Sequence, residues 1–377
     1  MKIGLVCPYS ITKRGGVREI VIATKDELVR RGHDVKIITP LPRGSEVKQL
    51  EDVIFIGVST DFHSPTRTTT QFGATVDNDK IDEVLTSEQF DILHFHEPWI
   101  PVLSRQILQR SRSVNIATFH AVVPETLMSR TVVRVVTPYL KSVMKYLDVL
   151  TAVSEAGSEY ARSLTDQPIS IIPDGIDLNR FRPPSTIPAR GKLKSILYIG
   201  RLEGRKGVKY LLHAYQLLLQ VDPNVELIIA GDGPDREKLE LLSEDLNLTH
   251  ISFLGYVSDE LKLELLTKAD LFCAPSIYGE SVGVVLLEAM AMGLVTIAGN
   301  NSGYAGLMQG VGAISIVNPR DAVEFARRLG VLLNEPELRR LWQKWALNYV
   351  KQFDYSNVVD QYESLYRKAL KQHASTH

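Results

Sequence analysis

Short apolar runs alternate with amphipathic helical patterns along this chain, stop once, and start again. KIGLVC reads as a buried strand, followed by a glycine turn and a helix through VREIVIATKDELVRRGH. DVKIIT, VIFIGV, DILHFH and NIATFH continue as strands. This alternation is the pattern of a parallel sheet wrapped by helices, an α/β class. PDGIDLNRFRPPSTIPARGKLK, polar, proline-rich and without period, then reads as an interdomain linker. Beyond it SILYIG, VELIIAGDG, ISFLG, DLFCAP and LVTIAG are strands. KGVKYLLHAYQLLLQ, DREKLELLSEDL and DELKLELLTKA are helices, and a further helix begins near Asp321. A chain of 377 residues is long for one core, so two α/β domains are expected, over 1–180 and 190–350.

Composition narrows the class. A formal net charge of −1 supplies no global basic field for nucleic acid, and 44% hydrophobic residues is usual for a soluble globular protein. Cys7 and Cys273 sit in strand-like runs and are too few for a disulfide framework, which fits a reducing cytoplasm. MKIGLVCPYS does not read as a signal peptide, because Pro8 interrupts a short apolar run. The most apolar window, SVGVVLLEAMAMGLVTIAG, carries Glu288 and several glycines, against a membrane span.

In such sheets ligands bind at the carboxyl ends of strands, so a cleft between the domains is the expected site. After the first strand, PYSITKRGGVRE places Gly15 and Gly16 before a helix whose free N–H groups suit an anion. A plain tight turn fits equally. No G-x-G-x-x-G follows that strand, which leaves a dinucleotide site little support. SILYIG runs into RLEGRKG, so Arg201 and Lys206 emerge at a strand end, either to hold a diphosphate or simply solvated.

YGESVGVVLLEAMAMG poses a sharper question, because two acids stand in an otherwise small or apolar stretch. Gly283 is expected to open a helix running through Ala291, with Glu280 before it and Glu288 roughly 7–8 Å inside. A diphosphate at the helix start would present a sugar to Glu280 and a ribose to Glu288, satisfying both without another cation. The alternative is that Glu288 is a core-edge acid paired with a lysine.

Other constellations carry less. His94 and His96 share a strand face, but the following Glu97-Pro98 marks a strand end rather than a metal loop. Asp77-Asn78-Asp79 is a short acidic pattern in a polar run and is set aside as a manganese site. Arg130, Arg134, Lys141 and Lys145 would form one face of a helix, solvated or laid on an anionic membrane surface.

Taken in order, GGV, RGHDV, HFHEP, TFH, AVSE, IPDGID, GRLEGRKG, GDGP, FLGYV and GESVGVVLLEAMAMG resemble the retaining nucleotide-sugar glycosyltransferases of the GT-B fold over nearly the whole chain. Within that family the chain looks most like the phosphatidylinositol mannosyltransferases. The resemblance implies two Rossmann-like domains facing a central cleft, with a final helix, about 355–372, crossing back to the first. It implies a hexose donor, GDP-mannose or a UDP-hexose, a lipid-linked, polyol or glycan acceptor, and neither cofactor nor metal. It assigns the diphosphate to Arg201 and Lys206, and sugar hydroxyls to Glu280 with the backbone of Ser281, Val282, Gly283 and Val284. The ribose falls to Glu288, the base to the backbone near Tyr256 and Val257, a phosphate approach to Gly16, and a sugar contact to His120. Tyr9, Arg18 and Trp99 lie on the acceptor side.

Departures gather there: Trp99 and Arg18 replace residues of other chemistry, as do Ala121 and Glu125 after TFH. TRTTTQFGATVDNDKIDEV also lacks the basic richness of that group's membrane helix. The acceptor is therefore left open. The expected location is cytoplasmic, or peripheral on the inner membrane face. A nucleotide-sugar epimerase and a non-catalytic sugar-nucleotide-binding protein are the rival functions.

Overall fold

Strand and helix alternate throughout the computed structural model, which describes residues 1–12, 15–42, 50–63, 69–74, 77–100, 102–122, 137–184 and 193–376. The chain divides into two units, Met1–Gly175 with Tyr355–His377, and Ile176–Asp354.

The first unit runs β1 (Lys2–Val6), α1 (Gly16–Arg30), β2 (Asp34–Pro42), β3 (Val53–His63), β4 (Thr69–Ala74), α2 (Asn78–Glu88), β5 (Ile92–His96), α3 (Leu103–Leu108), β6 (Val114–Phe119), α4 (137–144), β7 (Val149–Ala152), α5 (Glu155–Arg162) and β8 (Ile169–Ile171). Its sheet has the order β4-β3-β2-β1-β5-β6-β7-β8. β1, β5 and β6 are buried on both faces, which is why their sequences read as unbroken apolar runs. β4 departs from the parallel expectation. It pairs antiparallel with β3, Val58 opposite Ala74, as an edge strand of a threonine-rich run. Asp77 caps α2 by accepting the Lys80 N–H at 3.0 Å, a local task for the first acid of the D-N-D run.

The second unit runs β9 (Lys194–Ile199), α6 (Val208–Leu219), β10 (Val225–Ala230), α7 (Arg236–Asp245), β11 (Ile251–Gly255), α8 (Asp259–Lys268), β12 (Leu271–Ala274), α9 (Val284–Ala291), β13 (Thr296–Gly299), α10 (Ser302–Leu307), β14 (Ile316–Val317), α11 (Ala322–Asn334) and α12 (Pro336–Tyr349). Its six strands pair in parallel in the order β11-β10-β9-β12-β13-β14. The segment read as a linker is partly packed into this unit. Ile176 and Phe181 are buried, and Ile176 bridges to Asp354.

α13 (Tyr355–Thr376) returns to the first unit. Val358, Val359, Tyr362, Tyr366 and Ala369 recur at helical spacing and join Ile3, Leu5 and Ile116 in one core. Each of the larger side chains contributes roughly 1.5–3 kcal/mol by leaving water. No helix among the described residues is long and apolar enough to cross a membrane.

Candidate active site

Each sheet reverses its strand order once, between β1 and β5 in the first unit and between β9 and β12 in the second. Loops leaving the carboxyl ends on either side of a reversal diverge, and the crevice between them is where such sheets bind ligands. In the second unit the loop after β9 carries Arg201 and Lys206, and the loop after β12 carries Glu280.

A chain of charges joins these two loops. Arg201 Nε lies 3.7 Å from Glu203 Oε2, and Arg205 Nε lies 2.7 Å from Glu203 Oε1. The Arg205 guanidinium and the Lys206 ammonium both reach Glu280 Oε1 at 2.7 Å. Arg205 also donates to the Gly279 carbonyl at 3.1 Å. Glu203 and Glu280 are only 8% and 9% exposed, whereas the Arg201 side chain is 44% exposed. Three cations thus face two buried carboxylates, so this chain of charges itself carries one positive charge in excess.

Two glycines hold the loops in register. Gly207 (φ 72) ends the tight turn bearing Lys206, and a Cβ there would stand 2.0 Å from the Pro275 carbonyl oxygen. Gly283 (φ 82) starts α9, as expected, where a Cβ would meet the Tyr304 ring at 2.4 Å. The six residues Leu286 to Ala291 are buried, Glu288 among them. Its Oε1 accepts from Lys262 Nζ at 2.7 Å, and Lys262 lies over the Phe181 ring. Burial raises the Glu288 pKa, and Lys262 offsets that only in part.

The structure corrects one expectation here. Neither carboxylate waits for a neutral hydroxyl without a cation, since Glu280 has Arg205 and Lys206 and Glu288 has the lysine of the alternative reading. Tyr256 follows β11 and is exposed, Val257 is half-buried, Ser281 and Val284 are half-buried, and Val282 is buried.

In the first unit Gly16 is the first residue of α1, and no described atom lies within 4 Å of a Cβ placed on it. Tyr9 is half-buried, with its pKa raised by burial and by nearby Glu97. Arg18 is tied back to its own loop through the Ile11 carbonyl and Glu19. Trp99 packs against Phe119 and Tyr160, with ring centroids 4.9 and 5.7 Å away, as part of an apolar cluster.

His120 is buried at the end of β6 with both ring nitrogens engaged. Nδ1 is 3.1 Å from Asp174 Oδ1, and Nε2 is 2.9 Å from His96 Nδ1. Burial lowers the His120 pKa, but Asp174 outweighs it and the net shift is upward. Glu97 Oε1 accepts the His120 and Ala121 N–H groups at 2.7 and 2.6 Å, and burial pushes its carboxyl up to about 7. Glu97 adopts φ 52, a left-handed strain that clusters at functional sites. His94 meets Tyr366 and Thr118, each at 2.7 Å, and burial holds its pKa down at about 3.

Leu140 and Met144 of α4 are buried in the core, so the described part of the basic helix turns Lys141 and Lys145 outward without a free apolar face. Arg130, Arg134 and Glu125 lie outside the described residues. Arg205, Glu203, Lys262, Glu97 and Asp174 were not singled out from sequence for these roles. Arg205 had a signal, the alternating charges of RLEGRK, whereas Lys262 reaches Glu288 from another helix.

Residues 183–348 match the family Glycosyl transferases group 1, and residues 14–180 match Glycosyltransferase Family 4. The phosphatidyl-myo-inositol mannosyltransferase of Mycolicibacterium smegmatis is 31% identical over 371 residues, 97% of this chain and 93% of that protein. The chain belongs to the group 1 glycosyl transferases. Another relative of this group, the phosphatidyl-myo-inositol mannosyltransferase of Mycobacterium tuberculosis, is 30% identical over 377 residues, covering 97% of this chain and 96% of its own. Sucrose-phosphate synthase from Thermosynechococcus elongatus superposes with a TM-score of 0.76 at 20% identity, covering 98% of this chain and 99% of its own. Anabaena HepE, solved in complex with UDP, gives 0.76 at 17%, covering 98% and 100%. At those identities the likeness establishes the GT-B fold alone. As a group 1 glycosyl transferase the protein is an enzyme, a hexosyltransferase that is mannosyltransferase-like in sequence.

Proposed function

We propose that the protein transfers a hexose, mannose from GDP-mannose before a UDP-hexose, to a lipid-linked, polyol or glycan acceptor with retention at the anomeric carbon. The cation–carboxylate chain at the β9/β12 reversal, followed by Glu288 inside α9, carries this reading. Arg201 and Lys206 supply positive charge where a departing diphosphate develops its own, the interaction that lowers a transition state most. The amino terminus of α9 adds backbone N–H groups to the same anion.

The cations already on Glu280 and Glu288 do not close those sites. A carboxylate offers about four lone-pair positions, so each still accepts from a sugar or ribose hydroxyl. The backbone near Tyr256 and Val257 takes the base, and Gly16 leaves room for a phosphate. His120 reaches the sugar by exchanging His96 for a hydroxyl at Nε2, while Asp174 keeps Nδ1 protonated. With the leaving group neutralised by side chains the reaction needs no divalent ion, and retention proceeds by front-face attack within an ion pair. The relatives named as mannosyltransferases favour mannose. Attachment to an anionic membrane from the cytoplasmic side, through Lys141 and Lys145, is electrostatic, because Leu140 and Met144 belong to the core.

A melting-temperature panel of nucleotide sugars identifies the donor, since a ligand of the native state raises the transition. Transfer from that donor to polyol, glycan and lipid-linked acceptors in EDTA, with product configuration read by NMR, tests the reaction. An epimer formed from donor alone would contradict it, and loss of activity in EDTA restored by manganese would overturn the metal-free reading.

A further inference from the structure

Among the described residues Arg205 alone bonds both buried carboxylates of the charge chain. Its Nε is 2.7 Å from Glu203, and one terminal nitrogen serves Glu280 at 2.7 Å and the Gly279 carbonyl at 3.1 Å. Three acceptors on one planar fork fix the guanidinium in place. Its neighbours are held differently. Arg201 is 3.7 Å from a carboxylate that Arg205 already bonds, and Lys206 shares with Arg205 a single oxygen of Glu280.

We propose that Arg205 is a positioning residue for donor binding, holding Glu280 and Glu203 so that Lys206 and Arg201 can leave them for the diphosphate. The inference rests on the donor reading above. A diphosphate that draws Lys206 away would strand a carboxylate only 9% exposed unless another cation stayed, and a buried charge without a partner is strongly unfavourable. Arg205 is that cation. Without it Glu280 keeps Lys206 as its counter-charge and competes with the diphosphate for it. Glu203 does the same to Arg201.

The test is calorimetric titration of the full chain with GDP, which has no sugar to touch Glu280, beside thermal melts of every variant. Arg205→Gln is expected to bind GDP roughly tenfold more weakly, the size of one lost charge-assisted contact. Adding Glu280→Gln releases Lys206 but leaves Glu203 on Arg201, so the double variant is expected to bind GDP more tightly than Arg205→Gln, short of Glu280→Gln alone, while transfer stays lost. A merely structural arginine predicts no rescue. Lys206→Ala is titrated in parallel. If it binds GDP as the wild type does, the donor reading falls and the role of Arg205 with it. If Lys206→Ala weakens GDP while Arg205→Gln does not, or the double variant stays as weak as Arg205→Gln, the positioning role alone is overturned. Should Arg205→Gln fail to fold, Arg205→Lys carries the same test, and absence of weakening or of rescue by Glu280→Gln overturns the proposal.

Discussion

A carboxylate nine-tenths buried needs a counter-charge before any ligand arrives, and Glu280 and Glu288 each have one. Their spacing was legible in the sequence because a glycine before an apolar run marks a helix start. The cations facing them were not, since Lys262 lies 26 positions from Glu288 and nothing local fixes which helix face it takes. The same limit hid Asp174, 54 positions from the histidine whose pKa it raises. Lys206 and Arg201 carry the first prediction. Lys206→Ala or Arg201→Ala is expected to lower turnover roughly 100-fold or more at saturating donor, as removal of a contact of ~3 kcal/mol to the developing charge would. Steady-state kinetics checks this, and near-normal rates for both variants would remove the diphosphate from these residues.

Helix and strand ends show how elements set such residues. α1 opens at Gly16 with no described atom close to its Cβ position, so the described part of the first unit does not demand glycine there. Gly16→Ala is therefore expected to leave stability unchanged or raised by up to about 1 kcal/mol, read as a melting temperature that does not fall, while transfer falls. Unaltered turnover would make the glycine a plain turn. β5 places His94 and His96 on one face, beside Glu97, His120 and Asp174, with Tyr362 and Tyr366 of α13 over His94. Both histidines have folded pKa values depressed by burial, His94 from 6.5 to about 3. The stability they contribute is present above pH 6.5 and is lost as the pH falls, because the unfolded chain then binds the protons. Glu97 runs the other way, from 4.5 up to about 7, favouring the folded state below 4.5 and losing that contribution as the pH rises through 7. Each group adds a slope of about 1.4 kcal/mol per pH unit between its two values. In denaturant melts at pH 6.5 and 4.5, His94→Gln is expected to lose less stability on acidification than the wild type, by about 2 kcal/mol. Equal losses would contradict it. The period-2 and period-3.6 patterns that disclosed most elements missed β4, whose short sequence TTQFGA carries too few apolar residues to set a period.

At the scale of the whole molecule, the chain builds the same plan twice, a parallel sheet whose strand order reverses once, and brings chemistry-bearing loops to each reversal. That plan was readable because each sheet buries its central strands on both faces and so writes them as apolar runs. The return of α13 to the first unit was not readable from periodicity and came from family resemblance; its tyrosines meet β5 and β6 through His94 and Thr118. The function proposed above gives the second unit one central task, to hold a nucleotide sugar with ribose at Glu288, diphosphate at Arg201 and Lys206, and hexose at Glu280. Calorimetric titration of GDP and GDP-mannose into the wild type, Glu280→Gln and Glu288→Gln tests that order directly. Each change keeps the side chain's size and removes its charge. The order predicts that Glu288→Gln weakens both ligands. Glu280→Gln should weaken only GDP-mannose and bind GDP at least as well as the wild type, because Lys206 is released. Loss of GDP binding in Glu280→Gln, with Glu288→Gln unaffected, would mean that the ligand lies the other way round.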